Sequence, residues 1–197
     1  MKKLLIATSS QGKIKEIASL LKSLPLQVAS LAESGLPKDF EVEEPATTFE
    51  GNAIIKAMTL GKRTGLLTLA DDSGLEVEAL DGRPGVYSKR FAPGTDTDRN
   101  QALLRLMQNK KNRHASFRTV IAIYNPQNDL VRICEGLCPG AITHTPKGIH
   151  GFGYDPIFFS HTLHKTLAEA TLEEKNKVSH RSKALKKASE LLIEKFI

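Results

Sequence analysis

The sequence predicts an α/β fold built on a mixed β-sheet, and two observations carry that prediction. Strand and helix patterns alternate from the N-terminal end, and two long strand candidates in mid-chain are joined as a hairpin. Alternating units favour parallel pairing, whereas a hairpin pairs its strands antiparallel. Both kinds of pairing in one chain make the sheet mixed.

Lys3 to Thr8 reads as a buried strand. The same stretch has a faint look of a signal peptide, but its apolar run is short and Ser9-Ser10-Gln11-Gly12-Lys13 breaks it with polar residues. Gly12 then opens a helix to about Ser23, with Ile14, Ile17, Ala18 and Leu21 on one face. Leu26 to Ser30 is a second short strand, and residues 31–47 are acidic and irregular. Thr48 is placed to cap a helix over Phe49 to Thr64 that carries Ala53, Ala57 and Leu60. Leu66 to Ala70 is a short apolar strand that delivers Asp71-Asp72-Ser73-Gly74 into a turn. Residues 81–98 are rich in Gly, Pro and Asp and read as a functional loop, after which Thr97 to Gln108 has helical character. The hairpin strands are Ala115 to Tyr124 and Leu130 to Cys138, joined by Asn125-Pro126-Gln127-Asn128-Asp129. Gly148 to Asp155 is a glycine-rich loop before a strand at Pro156 to Ser160, and a long helix covers about Ser179 to Phe196.

At 197 residues the chain fits one domain, or one domain with a small lobe, and is long enough to bury a core. Its 40% hydrophobic and 25% charged content is an ordinary globular balance. No apolar run approaches the ~20 residues a membrane helix needs, so no membrane role and a cytoplasmic location are expected. If Cys134 and Cys138 share a strand they lie about 13 Å apart, at ~3.3 Å per residue. That exceeds the roughly 7 Å a disulfide spans and suits a reducing compartment.

The net charge of +6 fits either nucleic acid or a small polyanionic substrate. Much of the excess lies in Lys183, Lys186, Lys187 and Lys195, interleaved with Leu185, Ala188, Leu191, Leu192 and Phe196 at helical spacing. That pattern is a solvated face on a packed helix. Aromatics do not interleave with the basic residues, so a nucleic-acid-binding stripe is not expected.

Five constellations carry chemistry, and each has a plain alternative. Gly12-Lys13 at a helix N-terminus suits phosphate, through outward N–H groups, the helix dipole and a full charge. It is not a Walker A motif, and an exposed lysine in a first turn is common. Asp71-Asp72 suits a hard cation with oxygen ligands, or a turn with solvated aspartates; the apolar strand before the pair favours a site, since ligands sit at strand C-termini in α/β sheets. Asn52 and Lys56 share a helix face that could hold phosphate oxygens, or is an ordinary polar face. Gly151-Phe152-Gly153-Tyr154-Asp155-Pro156 allows close backbone approach and ring stacking on a base, or makes a tight turn. Ser179-His180-Arg181, just after Lys175, offers donors to a base edge, or a serine cap followed by surface cations.

Six motifs occur together and in order. They are Ala7-Thr8-x-x-x-Gly12-Lys13-x-x-Glu16, Phe49-x-x-Asn52-Ala53-x-x-Lys56-Ala57, Ala70-Asp71-Asp72-Ser73-Gly74-Leu75, Gly82-x-Pro84-Gly85-Val86-Tyr87-Ser88, Gly151 to Phe158, and Glu174-Lys175-x-x-x-Ser179-His180-Arg181. Over nearly its whole length the chain resembles the inosine/xanthosine triphosphate pyrophosphatases, which remove nonstandard purine nucleotides. The resemblance implies a single domain over residues 1–197, with a long twisted mixed β-sheet flanked by helices, two lobes with a cleft between them, and a homodimer.

It also implies Mg²⁺ held through Asp72 and Glu44, with Asp72 as proton acceptor. Thr8, Ser9, Ser10, Gln11, Gly12, Lys13, Lys56 and Ser73 would bind the triphosphate, with Asn52 on the same helix face as Lys56. Phe152, Gly153, Tyr154, Asp155, Lys175, His180 and Arg181 would bind the nucleoside end. The family usually carries Asn where Ser10 stands, so a hydroxyl replaces an amide at that contact.

The expected chemistry is hydrolysis of inosine, deoxyinosine and xanthosine triphosphates to the monophosphate and pyrophosphate. Lys13 and Lys56 would neutralise the departing oxygens. A nucleotide- or RNA-binding protein without catalysis is the rival, supported by a pI of about 9.3. Asp71-Asp72 weighs against it, because carboxylates repel phosphate unless a metal intervenes. A pyrophosphatase for modified pyrimidine nucleotides is a second rival.

Overall fold

A computed structural model describes residues 1–37 and 40–197. Residues 38 and 39, part of the stretch read as irregular, lie outside the described residues. The strands are β1 (Lys2–Ile6), β2 (Leu26–Ala29), β3 (Leu67–Val77), β4 (His114–Asn125), β5 (Leu130–Ile142), β6 (Phe158–Ser160) and β7 (Lys165–Thr166). The helices are α1 (Gln11–Leu21), α2 (Phe49–Thr64), α3 (Asp96–Leu106), α4 (Leu172–Val178) and α5 (His180–Lys195). The seven strands form one sheet in the order β2-β1-β3-β4-β5-β6-β7. β1 runs parallel to both β2 and β3, and β6 runs antiparallel to β5 and β7, so the sheet is mixed as expected.

The chain divides into two compact units. The first comprises Met1–Asp72, Thr119–Gly136 and Arg181–Ile197; the second comprises Ser73–Arg118 and Leu137–His180. In the first, period-2 alternation along β3 sends Leu67, Leu69 and Asp71 to one face and Thr68, Ala70 and Asp72 to the other. Leu67 and Leu69 join Leu4, Ile6, Ile121 and Ile123 in a core closed by Ile17 and Leu21 of α1 and Ala184, Leu185, Ala188 and Leu192 of α5. Helix α2 covers the opposite face. A methyl group added at its Gly61 would stand 2.5 Å from the Tyr124 ring and 3.2 Å from Thr68 Oγ1, so glycine is what allows the close approach. Thr48 caps α2 by accepting the Gly51 N–H, and Gly65 ends it in the left-handed conformation. In the second unit, Leu75, Val77, Phe117, Ile142 and Phe158 pack with Leu103 of α3 and with Met107 at its C-terminal end.

The structure corrects several expectations. Asp71 to Gly74 do not form a turn; β3 runs through them to Val77. A turn would solvate the two carboxylates, but here Lys13 and Asn52 partner them, so they stay on a central strand. Ala18 is exposed rather than on the inner face of α1, where buried Glu16 sits instead. The segment at Pro156 begins as a 3₁₀ turn over Asp155–Ile157, because proline suits the first helical position and donates no ladder hydrogen bond. β5 extends four residues past Cys138, to Ile142. The short β7 and the two-turn α4 carry too little periodicity to be read from sequence, and Ser179 both ends α4 and stands directly before the first residue of α5. The cysteines are both free, and Lys183, Lys186, Lys187 and Lys195 are exposed on α5.

Candidate active site

In the first unit, adjacent carboxylates on β3 have unlike surroundings. Asp71 Oδ2 lies 2.9 Å from Lys13 Nζ and 3.3 Å from Arg181 Nε. The Arg181 guanidinium also ion-pairs with Glu16 on α1, and all three of Glu16, Asp71 and Arg181 are buried. Burial opposes the charge on Asp71, but Lys13, Arg181 and Lys56 outweigh it and hold its carboxyl well below the usual range. Burial likewise opposes the charge on Arg181, and Asp71 and Glu16 outweigh it, so the guanidinium stays charged.

Asp72 faces the other way. Its Oδ2 accepts from Asn52 Nδ2 at 3.1 Å, and Asn52 Oδ1 in turn accepts the Ala46 N–H at 2.9 Å. Burial raises the Asp72 pKa against the pull of Lys56 and Lys13, and the Glu44 carboxylate adds to the rise. Lys56 Nζ donates to the Asp71 carbonyl at 3.0 Å and lies 2.8 Å from Glu44 Oε1. Ahead of α1, Thr8 Oγ1 accepts the Ser10 N–H at 3.2 Å, and Ser10 Oγ caps the helix by accepting the Lys13 N–H at 3.5 Å.

Among the described residues no three His, Cys, Asp or Glu side chains form a ready-made metal cluster. The donor set still fits a hard divalent cation. Mg²⁺ keeps several waters and takes one or two carboxylates, and a cation shared by Asp72 and Glu44 would offset the unfavourable field that Glu44 imposes on Asp72.

In the second unit, Lys175 of α4 and Asp155 form a buried pair, with Lys175 Nζ 2.5 Å from Asp155 Oδ2 and 4.7 Å from the centre of the Phe152 ring. Asp155 Oδ2 also accepts the Phe152 N–H at 2.9 Å. A side chain at Gly151, where φ is +75°, would meet that carboxylate at 2.1 Å, so only glycine fits there. Tyr154 donates its hydroxyl to the Ser88 carbonyl at 2.9 Å, and burial pushes its pKa above the ordinary phenol value. His180 stacks on Phe117 with ring centres 4.7 Å apart.

The Ham1 family model matches residues 4–191. The chain belongs to the Ham1 family. It is 51% identical over 194 residues to a dITP/XTP pyrophosphatase of Desulforamulus reducens, covering 96% of this chain and 95% of that one. A dITP/XTP pyrophosphatase of Bacillus subtilis is 44% identical over 197 residues, covering 98% of each. Among solved structures, a HAM1 protein from Coxiella burnetii superposes with a TM-score of 0.89 at 41% identity, covering 98% of this chain and 100% of that one. The Staphylococcus aureus Ham1 protein gives 0.86 at 38% identity, covering 98% of each.

Within this Ham1-family chain the structure brings Thr8, Ser10, Lys13, Glu44, Asn52, Lys56 and Asp72 into the first unit, with Ser9 and Gln11 exposed and Gly12 half-buried beside them. Ser73 follows Asp72 on β3, half-buried. Phe152, Gly153, Tyr154, Asp155, Lys175 and His180 fall in the second unit. Arg181, grouped with them by resemblance, falls in the first unit, where it pairs with Glu16 and Asp71. Asn52 is wholly buried and spends its amide on Asp72 and Ala46. Glu16, the last residue of the first motif, has no expected role of its own. The signal for it was its place three residues after Lys13, where an acid on the inner side of a helix needs a buried cation.

Proposed function

We propose that this protein hydrolyses deaminated purine nucleoside triphosphates (ITP, dITP and XTP) to the monophosphate and pyrophosphate, with Mg²⁺, clearing them from the nucleotide pool. The observation that carries this reading is the division of labour between two neighbouring carboxylates. Asp71 is held as an anion by Lys13 and Arg181, while Asp72 accepts from a neutral amide and burial raises its pKa above the ordinary aspartate value. Environments that separate the pKa values of paired acids mark which one exchanges a proton. The relatives named as dITP/XTP pyrophosphatases support the substrate class.

In the proposed reaction Asp72 orients a water and takes its proton. The water oxygen bonds to the α-phosphorus as the bond from that phosphorus to the bridging oxygen breaks. The electron pair leaves on pyrophosphate, where Lys13 and Lys56 neutralise it. Mg²⁺ held by Asp72 and Glu44 would supply further neutralisation of the phosphate oxygens. Thr8 to Lys13 and Ser73 bind the triphosphate. Phe152 to Asp155, Lys175 and His180 serve the base, with the Phe152 ring offering a stacking face. Arg181, which also pairs with Asp71 and Glu16, completes that base-binding set. The protein works as a homodimer in the cytoplasm, a reducing compartment in which the free Cys134 and Cys138 are at home.

A panel of triphosphates, with pyrophosphate and orthophosphate measured separately, tests this. Inosine triphosphate should yield one pyrophosphate per monophosphate. Release of orthophosphate by way of a diphosphate would overturn the proposal.

A further inference from the structure

Helix α3 stands outside the motifs that name the site, yet its first turn grips the loop assigned to the base. Asp96 Oδ2 accepts the Gly153 N–H at 2.7 Å, and Asn100 Nδ2 donates to the Gly153 carbonyl at 3.1 Å. Residues four apart share a helix face, so one turn of α3 holds both polar groups of a single loop residue. The helix is free to do this because its own N-terminus is satisfied elsewhere. Thr95 and Asp98 form a reciprocal capping box, with Asp98 Oδ2 accepting the Thr95 N–H at 2.7 Å. Arg99 braces the carboxylate of Asp96 at 2.5 Å and donates to the Gly94 carbonyl at 2.8 Å.

Gly153 is where such a clamp matters. Its φ of +62° is open to glycine at little cost, and glycine is also the residue most able to leave it. On one side of it stands the Phe152 ring beneath Lys175; on the other, Tyr154 is tied to Ser88. A loop that keeps one conformation can refuse a base that differs by a single donor or acceptor, whereas a loop that yields can rearrange to accept it.

We infer that Asp96 and Asn100 are positioning residues that set base selectivity by clamping Gly153. This rests on the assignment of the Phe152–Asp155 loop to the base. The test compares kcat/KM for inosine triphosphate, GTP and ATP in the wild type, in Asp96→Ala and in Asn100→Asp. Asp96 is about half exposed, its side chain at 47%, so its truncation leaves the core intact. Asn100→Asp keeps size and sets an acceptor against the Gly153 carbonyl. Each variant should lose about tenfold or more of the preference for inosine triphosphate, as expected for losing the charge-assisted hydrogen bond of Asp96 or for setting the Asn100→Asp carboxylate against the Gly153 carbonyl. KM for inosine triphosphate should rise more than kcat falls. A merely structural role would lower the thermal midpoint and depress all three substrates alike, and that result in Asp96→Ala overturns the inference. An unchanged preference in Asp96→Ala, beside a wild type that discriminates, overturns the inference alone. A wild type that treats all three alike overturns the base assignment and the clamp's role together.

Discussion

Asp71 and Asp72 are both buried and both feel Lys13 and Lys56, but only Asp71 has the Arg181 guanidinium beside it, and only Asp72 has Asn52 and Glu44. The Asp71 pKa is depressed, so its ion pairs stabilise the fold above the ordinary aspartate value, near 3.9, and that contribution is lost as pH falls through the folded value. The Asp72 pKa is raised, which has the opposite sign. The folded state gains from its protonation at low pH, and that gain disappears as pH rises through the folded value. Asp72→Asn should therefore match or exceed the wild-type thermal midpoint at neutral pH in a chelator, with the difference closing toward pH 3. Turnover should nonetheless fall by ~10²–10⁴-fold, as for loss of a general base. Calorimetry and a pyrophosphate assay on the same samples check both halves, and near-normal turnover in the folded variant would refute the role given to Asp72. Because Asp72 must be ionised to take a proton, the acid limb of kcat/KM should lie above the ordinary aspartate value rather than at it.

At the scale of elements, legibility followed periodicity. α2 was readable end to end because Thr48 caps it, Gly65 stops it, and Ala53, Ala57 and Leu60 mark its inner face. β3 was cut short because two aspartates, a serine and a glycine look like a turn, and the partners that tame them lie 58 and 20 residues away, at Lys13 and Asn52. Glu16 and Arg181 are 165 residues apart, and no local pattern announces that pairing. The residues of the candidate site were legible only through motifs taken jointly; their hydrogen-bond geometry was not. Helix α2 also offers a direct test of packing. Gly61→Ala would gain helix propensity, worth about 1 kcal/mol in an open helix. It must instead force a methyl group to within 2.5 Å of the Tyr124 ring, and overpacking of this kind costs ~1–3 kcal/mol. Urea titration should show net destabilisation. A more stable Gly61→Ala protein would mean that α2 does not press on the sheet as described.

For the molecule as a whole, the distribution of charge separates a small-substrate enzyme from a nucleic-acid binder. The chain carries +6 overall, yet the group proposed to handle phosphate does not share in that excess. Lys13, Lys56 and Arg181 there face Glu16, Glu44, Asp71 and Asp72, three cations against four carboxylates, for a net charge of −1. The surplus sits instead on surfaces such as the exposed lysines of α5, whose apolar face is spent on the core. A group with a net negative charge holds a triphosphate only when a divalent cation accompanies it. Calorimetric titration with a non-hydrolysable inosine triphosphate analogue should therefore show binding in Mg²⁺ and a loss of at least about 100-fold in affinity in a chelator, as expected when a charge-neutralising ion is removed from a low-dielectric site. Single-stranded RNA should behave differently. It would meet the scattered surface lysines, bind weakly at physiological salt, lose affinity steeply as salt rises, and not require the divalent ion. Tight nucleotide binding in the chelator would remove the need for the Asp72 and Glu44 metal site. Salt-resistant, sequence-selective RNA binding would show that the positive surface, and not the carboxylate group, is where this protein does its work.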